Sequence, residues 1–230
     1  MNPIIDVIIP VYNEEDSISE VLKDIPWQLV RKVVVCNNGS TDQTASVAAN
    51  LGAVVVHEPS KGYGSACLKG MEYIAHQKTK PDIIVFLDGD YSDFPQDMES
   101  IIEPIISKNV DMVIGSRALG NKEKGAMMPQ QIFGNWLATT LIRWLYRTHF
   151  TDLGPFRAIK YGKLLDLHMS DKTFGWTVEM QVKAAKTGLK TAEVPVRYRK
   201  RIGESKVSGT IKGTIMAGYK ILWTIFKLIG

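Results

Sequence analysis

The chain has 230 residues, of which 45% are hydrophobic and 23% charged, with a net charge of +4. That length suits one α/β domain with a substantial core, and the composition excludes a disordered chain. Two cysteines, Cys36 and Cys67, are too few for a disulfide scaffold or a four-ligand zinc site and fit a reducing compartment.

In chain order, the first half alternates strand and helix signals. Ile4–Val11 is a β-branched run ended by Pro10 and the polar Asn13-Glu14-Glu15, and Asp16–Ile25 reads as a helix. Lys32–Cys36 is a second strand, Asn37–Asp42 a turn with capping residues, and a helix runs on to Asn50. Ala53–Val56 is a third strand, Lys61–Gly64 a glycine-rich turn, and Ser65–Gln77 a helix. Asp82–Leu87 is apolar almost throughout, as for a strand buried on both faces. A helix over Asp97–Lys108 and a strand over Val110–Ile114 follow. Then come an apolar helix over Gln130–Tyr146, a strand at Phe156–Ile159, a helix at Val178–Lys186, a strand at Thr191–Tyr198 and a last helix over 211–229. This alternation predicts an α/β fold with a mostly parallel central sheet covered by helices on both faces. The N-terminus lacks a basic region and a cleavage site, and no 18-residue apolar stretch is free of charge, so neither a signal peptide nor a membrane span is expected.

In such a sheet, ligands bind beyond the carboxyl ends of the strands. Polar clusters stand at those ends: Tyr12-Asn13-Glu14, Asn37–Asp42, Asp88-Gly89-Asp90 and Ser116-Arg117. Asp88 and Asp90, with glycine between them, can face one divalent cation and leave space for a phosphate. Taken singly, each cluster also reads as ordinary structure: Asp-x-Asp as a polar turn, Asn37–Asp42 as a helix N-cap, Arg117 as a surface arginine. Arg197, Arg199, Lys200, Arg201 and Lys206 form a basic run that reads either as a solvated face or as a seat for an anionic ligand or membrane surface, rather than for nucleic acid. Their common order along the chain favours function.

These residues resemble the family 2 glycosyltransferases of the GT-A fold, within them the branch of dolichol-phosphate mannosyltransferases and other polyprenyl-phosphate glycosyltransferases. The likeness rests on Pro10-Val11-Tyr12-Asn13-Glu14, Asn37-Asn38-Gly39-Ser40-Thr41-Asp42, Gly62-Tyr63-Gly64-Ser65-Ala66, Asp88-Gly89-Asp90-Tyr91-Ser92, Gly115-Ser116-Arg117 and Arg201 followed by Gly203-Glu204-Ser205-Lys206. It implies a glycosyltransferase domain over 1–210 and a C-terminal amphipathic helix over 211–230. It implies that Pro10, Tyr12, Glu14 and Asn38 line the base and ribose pocket with Cys36 nearby, and that Leu87, Asp88 and Gly89 lie against ribose and diphosphate. Asp88 and Asp90, helped by Ser92, would hold Mg²⁺ or Mn²⁺, and Arg117, Arg201 and Lys206 would hold phosphates. The catalytic set would be Asp90, Arg117, Arg201 and Asp152.

Two departures refine the expectation. Asn37-Asn38 replaces two carboxylates, and a carboxamide offering one donor and one acceptor suits uracil, so a UDP-sugar is favoured over GDP-mannose. Asp152-Leu153-Gly154-Pro155-Phe156-Arg157 is one residue shorter than the branch's pattern. An anionic lipid phosphate acceptor needs no general base, whereas a hydroxyl acceptor does, and Asp152 and Glu179 are its candidates, Glu179 reading equally as a buried acid paired with an arginine. The alternatives to a polyprenyl phosphate acceptor are a saccharide hydroxyl, or a nucleotidyltransferase or sugar-nucleotide-binding module; Pro10–Glu14 has neither Gly nor Lys, which counts against a nucleotidyltransferase loop.

Polyprenyl phosphates reside in bilayers. On a helical wheel Lys212, Lys220 and Lys227 share an arc of about 80°, beside an apolar face of Ile215, Tyr219, Leu222, Phe226 and Ile229 with Trp223 between. The helix suits a membrane surface, the domain core or an oligomer interface, and the helix bearing Trp136, Arg143, Trp144 and Arg147 could join it. A cytoplasmic enzyme, peripheral at the inner membrane face, is the corresponding expectation.

Overall fold

The computed structural model describes residues 3–203 and 211–229. Its strands are β1 (Ile5–Val11), β2 (Lys32–Asn37), β3 (Val54–His57), β4 (Ile83–Phe86), β5 (Met112–Ser116), β6 (Arg157–Lys160) and β7 (Thr191–Pro195). Its helices are α1 (Glu15–Asp24), α2 (Thr44–Asn50), α3 (Tyr63–Ala75), α4 (Met98–Ser107), α5 (Pro129–Tyr146), α6 (Tyr161–Asp166), α7 (Trp176–Lys186) and α8 (Ile211–Lys227).

The strands form one sheet in the order β3-β2-β1-β4-β6-β5-β7. Every pairing is parallel except those of β6, which runs antiparallel to β4 and β5. The central strands are buried on both faces, and the pleat sorts their residues with a period of two. Ile8, Val34, Ile84 and Phe86 face a core closed by α3, α5, α6, α7 and α8. Val7, Ile9, Val35 and Val85 face a second core closed by α1, α2 and α4. Each such side chain, fully removed from water, contributes about 1.5–3 kcal/mol. The edge strands β3 and β7 are only half-buried.

The expected mostly parallel sheet with helices on both faces is the observed one. The expected strand to Tyr198 stops at Pro195, which lacks the amide needed to extend a ladder; Tyr198 instead makes isolated bridges to Asp93 and Lys122. Helix α6 has six residues, too few to show a periodicity. Because β6 is antiparallel, its first residue lies level with the carboxyl ends of its neighbours, Arg157 facing Phe86 and Ile114. The loop before β6 is thereby delivered to the same sheet edge as the loops after the parallel strands.

Candidate active site

The loop after β4 carries the acidic motif. Gly89 has no space for a side chain: a Cβ there would stand 2.5 Å from a Val11 methyl, and its carbonyl accepts the Ser17 hydroxyl at 2.8 Å. Asp88 accepts the Tyr63 hydroxyl at 2.9 Å. Burial, reinforced by the charge of Asp90, pushes the Asp88 carboxyl up to about 6. Asp90 is buried, and one of its oxygens, Oδ1, accepts both the Ser92 amide at 2.9 Å and the Ser92 hydroxyl at 2.5 Å. Ser92 therefore orients Asp90, and its hydroxyl hydrogen points at that carboxylate.

The loops after β5 and before β6 meet at a second pair. Asp152, fully buried, accepts the Arg117 amide at 2.7 Å and the guanidinium through Nε at 2.8 Å and Nη2 at 2.6 Å. The Tyr198 ring lies 5.1 Å from the guanidinium carbon. Burial opposes the Arg117 charge, but Asp152 overcomes it and holds the guanidinium more firmly protonated than usual. Asp152 is in turn held below the ordinary carboxylate range. The Glu193 carboxylate fixes the turn by accepting the Thr151 and Asp152 amides at 2.8 and 3.1 Å. From α5, Asn135 adds bonds to the Thr151 carbonyl and the Leu153 amide.

Segment 197–203 runs along the acidic loop. The Arg199 amide donates to Ser92 O at 2.9 Å and the Ile202 amide to Asp90 O at 3.0 Å. Arg201 pairs with Asp90 through the remaining oxygen, Oδ2. The basic run divides here. Arg197 is bound to Asp97, and Arg199 to Asp24, the Tyr91 and Asp93 carbonyls and the Tyr91 ring, so both are structural. Arg201 addresses the site. Lys206 lies outside the described residues.

Pro10, Tyr12 and Glu14, the residues expected to border a nucleotide, stand at the carboxyl end of β1. Lys61 lies 5.0 Å over the Tyr12 ring, and Glu14 accepts the Ser17 hydroxyl at 2.9 Å. Asn38 departs from expectation. Its amide hydrogens go to the Glu58 and Ser60 carbonyls at 3.0 and 2.8 Å, and its oxygen accepts the Gly62 amide at 2.7 Å. The carboxamide expected to read the base is committed to the 58–62 loop. Asn37 is committed likewise, its oxygen accepting the Ser40 amide at 2.9 Å. Cys36 and Leu87 are fully buried on opposite faces of the sheet. The Cys36 sulfur lies where a Cβ on Gly70 of α3 would meet it at 2.7 Å, so it serves the core rather than the pocket.

Three groups escaped sequence reasoning. Arg157, fully buried, donates to the Leu153, Gly154 and Thr177 carbonyls and props the Asp152 turn from below. Tyr63 holds Asp88. Asp93 is 2% exposed, and neither carboxyl oxygen has a hydrogen-bond partner. Burial, then the charges of Asp88 and Asp90, push its carboxyl well above the usual range. An acid closely following Asp-x-Asp was the available signal. Glu179 is a buried structural acid, but its partner is Lys183 at 2.8 Å rather than an arginine, with the Ser170 and Asp171 amides completing it.

Asp88, Asp90, Asp93 and Asp152 are set against Arg117, Arg201 and the buried Arg157, three cations for four acids. An orphaned buried carboxyl beside a carboxyl raised to about 6 is what a site with a deficit of positive charge shows, and a divalent cation fits it. Among the described residues no cluster of three or more His, Cys, Asp or Glu could hold a metal ion by itself. The donor set fits Mg²⁺ or Mn²⁺ held by one or two carboxylates together with substrate phosphates, not a cage made by the protein alone.

The family model described as glycosyl transferase family 2 matches residues 6–167. An uncharacterized glycosyltransferase of Mycobacterium tuberculosis is 36% identical over 221 residues, 93% of this chain and 94% of its own length. A dolichyl-phosphate hexose transferase of Haloferax volcanii is 31% identical over 87% of this chain and 85% of its own. A UDP-N-acetylglucosamine–dolichyl-phosphate N-acetylglucosaminyltransferase of Methanococcus voltae is 27% identical over 98% and 96%. Among solved structures, glucosyl-3-phosphoglycerate synthase from Mycobacterium tuberculosis, in complex with Mn²⁺, UDP and phosphoglyceric acid, superposes with a TM-score of 0.77 over 99% of this chain and 79% of that one. At 20% identity that likeness is one of fold.

Proposed function

The chain belongs to glycosyl transferase family 2, and from that premise we propose that it moves a sugar, with inversion, from a UDP-sugar to a polyprenyl phosphate, using Mg²⁺ or Mn²⁺. The observation that carries the acceptor reading is the state of the two expected bases. Asp152 is locked to Arg117 and Glu179 to Lys183 and two amides, so neither is available to deprotonate a hydroxyl. The same lock holds Arg117 through its amide, Nε and Nη2, and among the described residues no hydrogen bond from Nη1 accompanies them, which makes it a fixed cation at the sheet edge. An acceptor that brings its own negative charge suits this arrangement. The relatives named for dolichyl-phosphate transfer support it, and the UDP-sugar in one relative's name supports the donor.

Arg117 would bind the acceptor phosphate and aim one oxygen at the anomeric carbon from the side opposite the diphosphate. No proton need leave that oxygen. Arg201 would steady the donor phosphates, and Tyr12 with Lys61 above it would border the base. Asp90 through Oδ2, with Asp88, would hold the divalent ion, which when bound offsets the charge developing on the departing diphosphate.

A hydroxyl acceptor is the second reading, and Asp93 favours it as an acid with both oxygens unpaired. Its burial under the acidic loop weighs against direct contact with an acceptor. A screen of UDP- and GDP-sugars against polyprenyl phosphate, read by mass spectrometry, tests the proposal. The expected product is a glycosyl-phosphoprenol formed from a UDP-sugar only with Mg²⁺ or Mn²⁺. Transfer to a free saccharide, with none to the lipid phosphate, would reject it.

A further inference from the structure

Asp90 offers a cation a single oxygen. Oδ1 is saturated by the Ser92 amide and hydroxyl, and Arg201 Nη2 sits on Oδ2. A divalent ion at Asp90 must take Oδ2, and a guanidinium and a metal ion cannot share one carboxylate oxygen without facing charge repulsion at contact distance. We propose that Arg201 is an exchangeable counter-ion: it neutralises Asp90 until the metal displaces it, and the displaced guanidinium then turns to the donor diphosphate. This deepens the proposed function and rests on its metal assignment.

The surrounding structure makes the exchange local. The backbone beside Arg201 is tied to the acidic loop by the Arg199 amide to Ser92 O and the Ile202 amide to Asp90 O. Arg199 itself is anchored by Asp24 and two carbonyls. The Arg201 side chain is the more exposed partner, at 28% against 6% for Asp90, so the swing needed is its own. Its cost is one partly exposed ion pair; its return is a guanidinium delivered beside the phosphates that arrive with the metal. The arrangement explains why metal and nucleotide should bind better together than apart. Alone, the ion must evict Arg201 into water; with the diphosphate present, Arg201 has a new anionic partner.

The test is Mn²⁺ binding to the whole protein, followed by electron paramagnetic resonance of the free ion, with and without UDP. Without UDP, Arg201→Gln should bind Mn²⁺ about fivefold more tightly than the native protein, the scale of one partly screened ion pair. With UDP present the order should reverse, because the variant lacks the phosphate contact. A general charge effect would tighten Mn²⁺ in both conditions and overturns the proposal, as does unchanged or weaker Mn²⁺ binding without UDP. A second measurement needs no variant to be metal-competent. The Arg201 Nε–Hε resonance, assigned by its loss in Arg201→Lys, should move toward the free-arginine position as Mg²⁺ saturates the native protein. A resonance that stays in place overturns the exchange. Failure of the native protein to bind Mn²⁺ even with UDP would instead remove the metal assignment and this inference together.

Discussion

Arg117 and Asp152 act as one unit, the carboxylate accepting the backbone amide, Nε and Nη2 of the arginine while having no exposed surface of its own. Removing one partner of a buried pair leaves the other uncompensated and costs about 3–5 kcal/mol. Asp152→Asn keeps the shape and removes the charge. It should lower the unfolding free energy by about 3 kcal/mol in urea titrations, within that range, and abolish transfer while UDP binding by calorimetry stays close to native. Native transfer rates in this variant would show that Arg117 does not need its partner.

Titration of the acids gives opposing slopes of stability with pH. Asp152 is depressed in the folded state by Arg117 against the pull of burial, so its contribution is complete above the ordinary Asp value of about 3.9 and fades as pH falls below it. Asp88 is raised, so the folded state binds its proton more tightly than the unfolded chain does. That contribution is present in acid and lost as pH rises from about 3.9 through about 6. Metal-free protein should therefore lose stability across this upper window, and Asp88→Asn should flatten that slope without touching the acid limb. A slope identical in the variant would remove Asp88 as its source.

Asn38 holds the 58–62 loop by three hydrogen bonds rather than offering its amide to a base. Asp in its place keeps one acceptor and turns the two donors into an oxygen facing the Glu58 and Ser60 carbonyls. Buried groups deprived of partners cost about 1–3 kcal/mol each. Asn38→Asp should thus lower the melting temperature and weaken UDP and GDP binding alike. A selective gain for GDP would restore direct base reading by this residue.

Gly64 opens α3 at a close approach, where a Cβ would stand 1.9 Å from the Asp171 carbonyl oxygen. Its amide and that of Ser65 donate to the Thr173 and Lys172 carbonyls, which presses the helix end onto that loop. Ala in a helix is intrinsically better than Gly by about 1 kcal/mol. Here overlap with backbone should outweigh it. Gly64→Ala should destabilise by about 2 kcal/mol or more and loosen Tyr63 from Asp88, read as weaker nucleotide binding. A stabilised variant would mean the 171–173 loop yields freely.

The strand-end motifs were legible because each acts locally: Pro10–Glu14, Asp88–Asp90 and Ser116-Arg117 terminate apolar strands, and a parallel sheet delivers every such terminus to one edge. What stayed hidden depends on distant partners. The direction of β6 has no local signature, since a four-residue strand reads the same either way, yet that direction brings Asp152 to Arg117 across 35 residues of sequence. The loop contacts of Asn38 were not legible because its acceptors lie 20 and 22 positions downstream. Arg197 and Arg199 looked equivalent to Arg201 until Asp97 and Asp24 were brought alongside them.

Helices α5 and α8 lie side by side, with the Tyr146 hydroxyl donating to the Ile225 carbonyl. Ile225 and Thr224 face the core, so part of α8 is domain packing. The outer side is unlike an ordinary surface. Trp136, Trp144 and Trp223 are 58%, 77% and 51% exposed, joined by Phe133, Tyr219 and Phe226, and neither helix contains an acid. Among the described residues no helix is long and apolar enough to cross a membrane. Exposed aromatic side chains on helices whose own charged residues are all basic suit the interface of an anionic bilayer. Of the expected lysine edge, the Lys212 side chain lies outside the described residues, and Lys220 is bound to Asp171 at 2.9 Å, so its charge serves the fold. Exposed Arg143, Arg147 and Lys227 remain to meet lipid. Changing those three to Gln should weaken binding to anionic vesicles by about two orders of magnitude, at about 1 kcal/mol per basic residue, with the melting temperature kept. Lys220→Gln should do the reverse, lowering the melting temperature while vesicle binding persists. Trp136, Trp144 and Trp223 changed together to Ser should release the protein from vesicles without unfolding it, since none of the three is buried. If those changes instead convert a dimer to a monomer in analytical ultracentrifugation, and the native protein never sediments with anionic vesicles at low salt, the face joins two copies of the chain and the lipid acceptor must reach Arg117 by another route.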